Sequence, residues 1–267
     1  SVPRIDSSPC ELQYAVDRCM EIMKLGNIAI VANAWQTVEE QFVIAELAKA
    51  CGAKVHMVSH LGDDDGKLVS ADRTPNMRGA FVTGLIKEYP KPDLRELAES
   101  VRAGEVKTVL CFRENIAELG FEPKDFKSAN IIYCGALENS TSQIAKICIP
   151  MRGEFEKYGM WINRQFRIQR FEKAVEAPKG TISDISFLLT VLREISRQSF
   201  AMPSIMEVRR RMCAEIPALK GCENVGDEGK LIDASDFAGI DFPETDAMHY
   251  TKGIPRAAAQ GGGSETK

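Results

Sequence analysis

The sequence has no long apolar run, no basic excess and few histidines. None of its apolar stretches approaches the ~20 residues that a membrane-crossing helix needs. No charged-then-apolar leader opens the chain. Lys plus Arg is 34 against 38 for Asp plus Glu, a net charge of −4. A nucleic-acid binder normally shows a clear basic excess, so that class is excluded. GxxxxGK[ST], GxSxG and HExxH are all missing. With them go the P-loop ATPases, the strained serine elbow and the helix-borne zinc pair. The three histidines are His56, His60 and His249. His56 and His60 are four apart on or beside a strand, where such positions lie ~13 Å apart, too far to share one zinc. Asp63-Asp64-Asp65-Gly66 lacks the ligand spacing of a calcium loop and reads as a solvated turn.

The eight cysteines are scattered, and none is in a CxxC pair. Cys134 and Cys148 sit inside apolar stretches. They read as small buried hydrophobes rather than as ligands of zinc or of an iron–sulfur cluster. Free thiols with no secretion signal point to a reducing compartment. The chain does not begin with Met, and reads as processed or as a piece of something larger.

What is present is ordinary globular composition, 44% hydrophobic and 27% charged, in 267 residues. That is one large domain or two small ones. Residues 10–25 place Leu12, Ala15, Val16, Cys19, Ile22 and Met23 at helical spacing. Residues 27–34 are a continuous apolar run, the pattern of a strand buried on both faces. Thr37-Val38-Glu39-Glu40 is a capping box opening a helix to about Ala50, with Gly52 as its stop. Strands follow at 54–58, 106–112 and 129–135, with a loop over 61–80. A second capping box, Asp93-Leu94-Arg95-Glu96, opens a helix ending near Gly104. Thr141–Lys146 reads as a short helix before Ile147–Pro150. Strands alternating with helices imply crossovers and a doubly wound, mainly parallel α/β sheet.

Residues 151–175 differ, with a high density of Arg and aromatics. Thr181–Ser196 is a strong helix that Thr181 and Asp184 can cap, and Met202–Ile216 reads as another. Arg209-Arg210-Arg211 reads as a solvated face. The organisation expected is an α/β domain over 1–200, a helical extension over 201–252 and a disordered tail over 253–267. The first strand-to-helix turn, Asn33-Ala34-Trp35-Gln36-Thr37, has no glycine and carries a bulky Trp. A dinucleotide or ATP phosphate needs glycine there to approach the backbone amides.

Two stretches resemble a known family. One is Ala71-Asp72-Arg73-Thr74-Pro75-Asn76-Met77-Arg78-Gly79-Ala80. The other runs Ile147-Cys148-Ile149-Pro150, Glu156-Lys157-Tyr158-Gly159, Asn163 and Arg167-Ile168-Gln169-Arg170. Together they resemble the molybdopterin oxidoreductase fold, and most of all the large iron–sulfur subunit of NADH–quinone oxidoreductase (respiratory complex I), over residues 10–200. The resemblance departs at Met160, where the family has Thr, and at Phe166, where it has Gly. A glycine there permits positive φ, which Phe does not easily adopt.

The resemblance implies a non-catalytic structural part of the complex I peripheral arm, supporting the cluster-bearing electron-transfer module. It implies no catalytic residue, no metal and no cofactor in this chain. Iron–sulfur clusters and flavin would lie in partner subunits, and the location would be cytoplasmic, against the inner face of the membrane. Asn163, Arg167 and Gln169, with Arg170, read first as pins that hold the 151–170 segment to the sheet; on the resemblance they would be vestigial pterin contacts, or contacts to another subunit. The alternative it allows is a molybdopterin-binding segment of a molybdenum- or tungsten-dependent formate dehydrogenase-type enzyme. From a third class, a stand-alone α/β binder of a small anion or nucleotide also fits.

Overall fold

A computed structural model describes residues 2–65, 69–196 and 204–243. In chain order the elements are β1 (Arg4–Ile5), β2 (Ser8–Pro9), α1 (Leu12–Met23), β3 (Ile28–Val31), α2 (Val38–Cys51), β4 (Lys54–His56), α3 (Met77–Val82), α4 (Arg95–Arg102) and β5 (Thr108–Phe112). They continue with α5 (Asp125–Ser128), β6 (Asn130–Gly135), α6 (Ser140–Ile144), β7 (Ile147–Pro150), β8 (Gly159–Ile162), β9 (Arg167–Phe171), α7 (Asp184–Ser196), α8 (Ile205–Glu215) and β10 (Lys230–Leu231). No helix among the described residues is long and apolar enough to cross a membrane.

The main sheet has seven strands in the order β2-β1-β7-β6-β5-β3-β4. Strands β3 to β7 are mutually parallel, and β1 and β2 add an antiparallel edge. The doubly wound α/β expectation is therefore met. Side chains alternate across each strand. Ile28, Ile30, Leu110, Phe112, Ile132 and Ile149 face a core shared with α1, α2 and α7. Ala29, Val31, Val109, Cys111, Ile131 and Tyr133 face a second core with Leu94, Leu97 and Val101 of the α4 region. Burial on both faces is why these strands read as unbroken apolar runs. All eight cysteines are free, and six are buried in these cores or beneath α8.

Local signals set several boundaries. Thr37 Oγ1 accepts from Glu40 N and Glu40 Oε2 accepts from Thr37 N, so both limbs of the capping box form. Gly52, at φ +63°, closes α2 in the left-handed region. The β1–β2 turn places Asp6 and Ser7 at φ +46° and +67°, as a two-residue hairpin of primed type requires.

Other local readings fail. The Asp93 capping box does not form: Leu94 is the N-cap, Asp93 accepts from Arg95 N, and Glu96 pairs with Lys91. Neither Thr181 nor Asp184 caps α7. Ser183 Oγ accepts from Ser186 N, and Thr181 donates to the Pro178 carbonyl. The 61–80 segment is loop up to α3. Within it Asp63 and Asp65 are exposed, while Gly66 lies outside the described residues. The tail expected over 253–267 also lies outside them, as does Met202.

Residues 151–175 form no extension of the main sheet. Strands β8 and β9 make an antiparallel hairpin, and β10 joins β9 in a separate three-stranded sheet. This hairpin rides on the start of α2, and the fit is close. A Cβ at Gly159 would lie 2.8 Å from Thr37 Cβ and nearer still to Thr37 Cγ2. Gly159→Ala should therefore destabilise the protein by about 1–3 kcal/mol, the usual cost of overpacking. Gly226→Ala, which meets nothing within 4 Å, should stay within about 0.5 kcal/mol of wild type. Urea unfolding of the two variants checks the contrast.

Candidate functional site

Open α/β sheets bind ligands at the carboxyl ends of their strands, where the strand order reverses. Here the reversal lies between β3 and β5. The residues leaving those strands are Ala32–Thr37 and Arg113–Asn115, with Met57–Leu61 following β4 beside them.

At this point Glu114 is buried and holds two partners. Asn33 Nδ2 donates to its Oε1, and His60 Nε2 lies 3.0 Å from both carboxylate oxygens. The hydrogen bond to Glu114 raises the His60 pKa above its ordinary value, against the opposing effect of partial burial. The His60 side chain is 40% exposed while Glu114 is 4% exposed. A half-solvated imidazole backed by a buried carboxylate is an acid–base arrangement in form. No cluster of three or more metal-ligating side chains exists among the described residues. His56 lies apart on β4, and burial pushes its pKa down to about 4. The two histidines do not converge.

The neighbouring part of the crevice is filled by the protein's own charges. Arg113 stands at φ +64°, a left-handed conformation that costs a non-glycine residue about 1–3 kcal/mol. In this pose its guanidinium donates to Glu154 (2.7 Å), Asp184 (2.8 Å) and the Arg152 carbonyl (2.9 Å). Lys157, 3% exposed, donates to Glu40 at 2.8 Å and lies 3.8 Å from Asp184. Burial disfavours the charged form of Asp184, but Arg113 and Lys157 outweigh it and hold the carboxyl below its ordinary value. Burial also disfavours charge on Arg113, and Asp184 and Glu154 outweigh it. At Glu40 burial wins and the pKa rises, although Lys157 opposes it.

The start of α2 is capped from within. Thr37 and Glu40 satisfy each other, and Glu39 Oε2, in the same turn, accepts from Met160 N at 3.0 Å. A helix N-terminus that would otherwise attract a phosphate is here capped by the Glu40 carboxylate, with Glu39 adding a second negative charge beside it.

Asn163, Arg167 and Gln169 are not at this crevice edge. They belong to the β8–β9 hairpin. Asn163 Oδ1 accepts from the amides of Gln165 and Arg167, and its Nδ2 donates to Gln169. Arg167 donates to the Glu228 carbonyl. Phe166 takes φ +56°, which overturns the expectation that Phe would not adopt positive φ. Its ring stacks on Phe237 at 5.5 Å and meets the edge of Phe242. Aromatic packing offsets the backbone strain there. Arg209-Arg210-Arg211 is not a solvated face either. Arg209 pairs with buried Glu39 at 2.7 Å and Arg211 with Glu46 at 2.8 Å, while Arg210 pairs with Glu207, and Arg211 also with Glu215, in the open. Glu114, Arg113 and Asp184 were missed because no local spacing joins them. The only sequence signal was three charged residues standing beside buried strands or helices.

No family model matches the chain, and no curated protein matches it. Among solved structures it is similar to a chain of the formyltransferase/hydrolase complex (FhcABCD) from Methylorubrum extorquens, crystallised with methylofuran. The TM-score is 0.40 at 10% identity, covering 73% of this chain and 99% of that one. The resemblance to the molybdopterin oxidoreductases and to complex I is corrected: no family model and no curated protein of either kind matches the chain. The motif residues have local work instead. Asn76 donates to the Gln36 carbonyl and to Gln41 and accepts from Ile162 N. A Cβ on Gly79 would meet Gln41 Oε1 at 2.6 Å. These residues join α3, α2 and β8.

Two outcomes check this geometry. Lys157→Met strips Glu40 of its buried cation and should cost about 3–5 kcal/mol in urea unfolding, most of it recovered by adding Glu40→Gln. A loss below about 1 kcal/mol would mean the buried pair does not form in solution. For His60, a raised folded pKa means the protonated form stabilises the fold. That stability is present below the ordinary value of 6.5 and is lost as pH rises through the folded value. By NMR titration, Glu114→Gln should bring the His60 pKa down.

Proposed function

We propose that this chain is a non-catalytic assembly module, which docks to a partner polypeptide through the carboxyl edge of its sheet. The observation that carries this reading is the closed crevice. Where folds of this class hold a ligand, Arg113, Lys157, Glu40, Glu154 and Asp184 are consumed by one another. In this reading the chain holds no redox cofactor, and any such group belongs to its partners.

The rim of the same edge supports docking. Trp35 follows β3, Leu61 follows β4, Leu137 follows β6, and Phe155 and Tyr158 follow β7, all exposed. Leu137 is 79% and Phe155 75% exposed. Single exposed apolar residues are ordinary, but several at one edge mark an interaction surface. The Phe155 carbonyl accepts from Ala174 N and Val175 N, so the loop carrying Phe155 is braced rather than free.

One observation favours a second reading, a binder of a small ligand. His60 reaches solvent above buried Glu114 and Asn33.

Purification of the native assembly from its own cells separates the two. A stoichiometric partner should be retained by the wild-type chain and by Tyr14→Ser, which alters an exposed residue of α1. It should be lost at least about tenfold from Trp35→Ser/Phe155→Ser, with the circular dichroism unchanged. A chain that runs as a monomer from its own cells, and gains about 2.7 kcal/mol with a nucleotide or small anion at ~100 times Kd, overturns the assembly reading in favour of the second.

A further inference from the structure

The opposite edge of the main sheet carries a groove of about 470 Å³ at the amino ends of β5, β6 and β7. Lys107, Lys127 and Lys146 line it, with Asp6 as its single carboxylate. Among the described residues none of the three lysines makes an ion pair. Three lysines against one carboxylate concentrate positive charge in a chain whose net charge is −4. The rest of the lining is mostly polar, with Ser7, Ser128 and Asn130, but Phe126, Ala129 and Ile144 add a small apolar strip, and Ile144 is 47% exposed.

We propose that this groove docks an acidic, extended segment of a partner protein. Three separate ammonium groups along a polar groove with a small apolar strip suit carboxylates spread along a chain with an occasional apolar side chain between them. They do not suit one compact phosphate, which is held best by arginine forks or converging amides. The overall charge of −4 disfavours a nucleic acid, a long polyanion that would run past this groove over the rest of the chain. The proposal concerns a different edge from the carboxyl-edge docking above and stands without it.

Fluorescence anisotropy with a labelled peptide of alternating Glu and Leu tests it on the full chain. Binding should weaken at least about tenfold in Lys107→Glu/Lys127→Glu, two exposed positions whose exchange leaves the cores untouched. It should fall steeply between about 50 and 500 mM salt. It should persist in Lys87→Glu/Lys179→Glu, which makes the same change in net charge elsewhere. Ile144→Ser should weaken it by a smaller factor. Equal loss in both charge variants reduces the effect to net charge and overturns the proposal. So does equal binding of the matching peptide with Gln for Glu, and so does tighter binding of single-stranded oligo(dT). The Trp35→Ser/Phe155→Ser variant should bind the peptide as wild type does, which keeps failure here distinct from failure of the carboxyl-edge reading.

Discussion

The structure depends on two carboxylates buried at the start of one helix. Glu39 and Glu40 stand in the first turn of α2, 0% and 2% exposed. A buried carboxylate is tolerated only when cations or donors compensate its lost hydration. Glu40 Oε2 accepts from both Thr37 N and Lys157, while Glu39 accepts from Met160 N on one oxygen and Arg209 on the other. Apart from Thr37, those partners come from β8 and the segment leading into it, and from α8. Satisfying two residues therefore fixes how the second sheet and the C-terminal helix sit on the main sheet. Non-specific burial of apolar area could hold these elements close, but it would leave their register free. The ion pairs do not.

The same demand shapes the crevice. Asp184 opens α7 fully buried, with Arg113 and Lys157 as its cations. Arg113 reaches it only through a left-handed backbone at the end of β5. A strained residue at the carboxyl end of a central strand is the kind of feature that marks ligand sites in other proteins of this architecture. Here the strain serves a contact within the chain, so it cannot be read as a sign of ligand binding. What remains open to solvent is His60 over Glu114, a much smaller feature than the network beside it.

How much was legible follows from the distance between partners in sequence. The capping box at Thr37, the stop at Gly52 and the unbroken strand runs are local, and each stands where the pattern places it. Glu39, Glu40, Gln41 and Glu46 would ordinarily form a wet face, yet all four are buried. Their burial is set by α7, α8 and β8 packing around α2. The Arg209–Glu39 pair spans 170 residues, and no local pattern reports such a pairing. Phe166 fails for a related reason. Propensity assigns positive φ to Gly or Asn, but Phe237 and Phe242, some 70 residues on, hold the ring in place. The family resemblance failed in the same way. Asn76, Gly79 and Gly159 are placed by close packing around α2, and such residue types in such an order are not specific to one chemistry.

The two edges of the sheet therefore end up with opposite characters, for one reason. At the carboxyl edge the charges are drawn inward to satisfy each other, so the loops above them are left with Trp35, Leu137, Phe155 and Tyr158. At the amino edge buried Asp125 takes Arg102 as its cation, and Lys107, Lys127 and Lys146 line the groove without ion pairs among the described residues. Ionic groups that are paired inside a fold contribute to its register and cannot recruit a partner. Those left outside contribute little to its stability and can. The division of charge between the interior of one edge and the surface of the other gives the chain two chemically distinct faces on a single rigid sheet, as a module that bridges two neighbours would need.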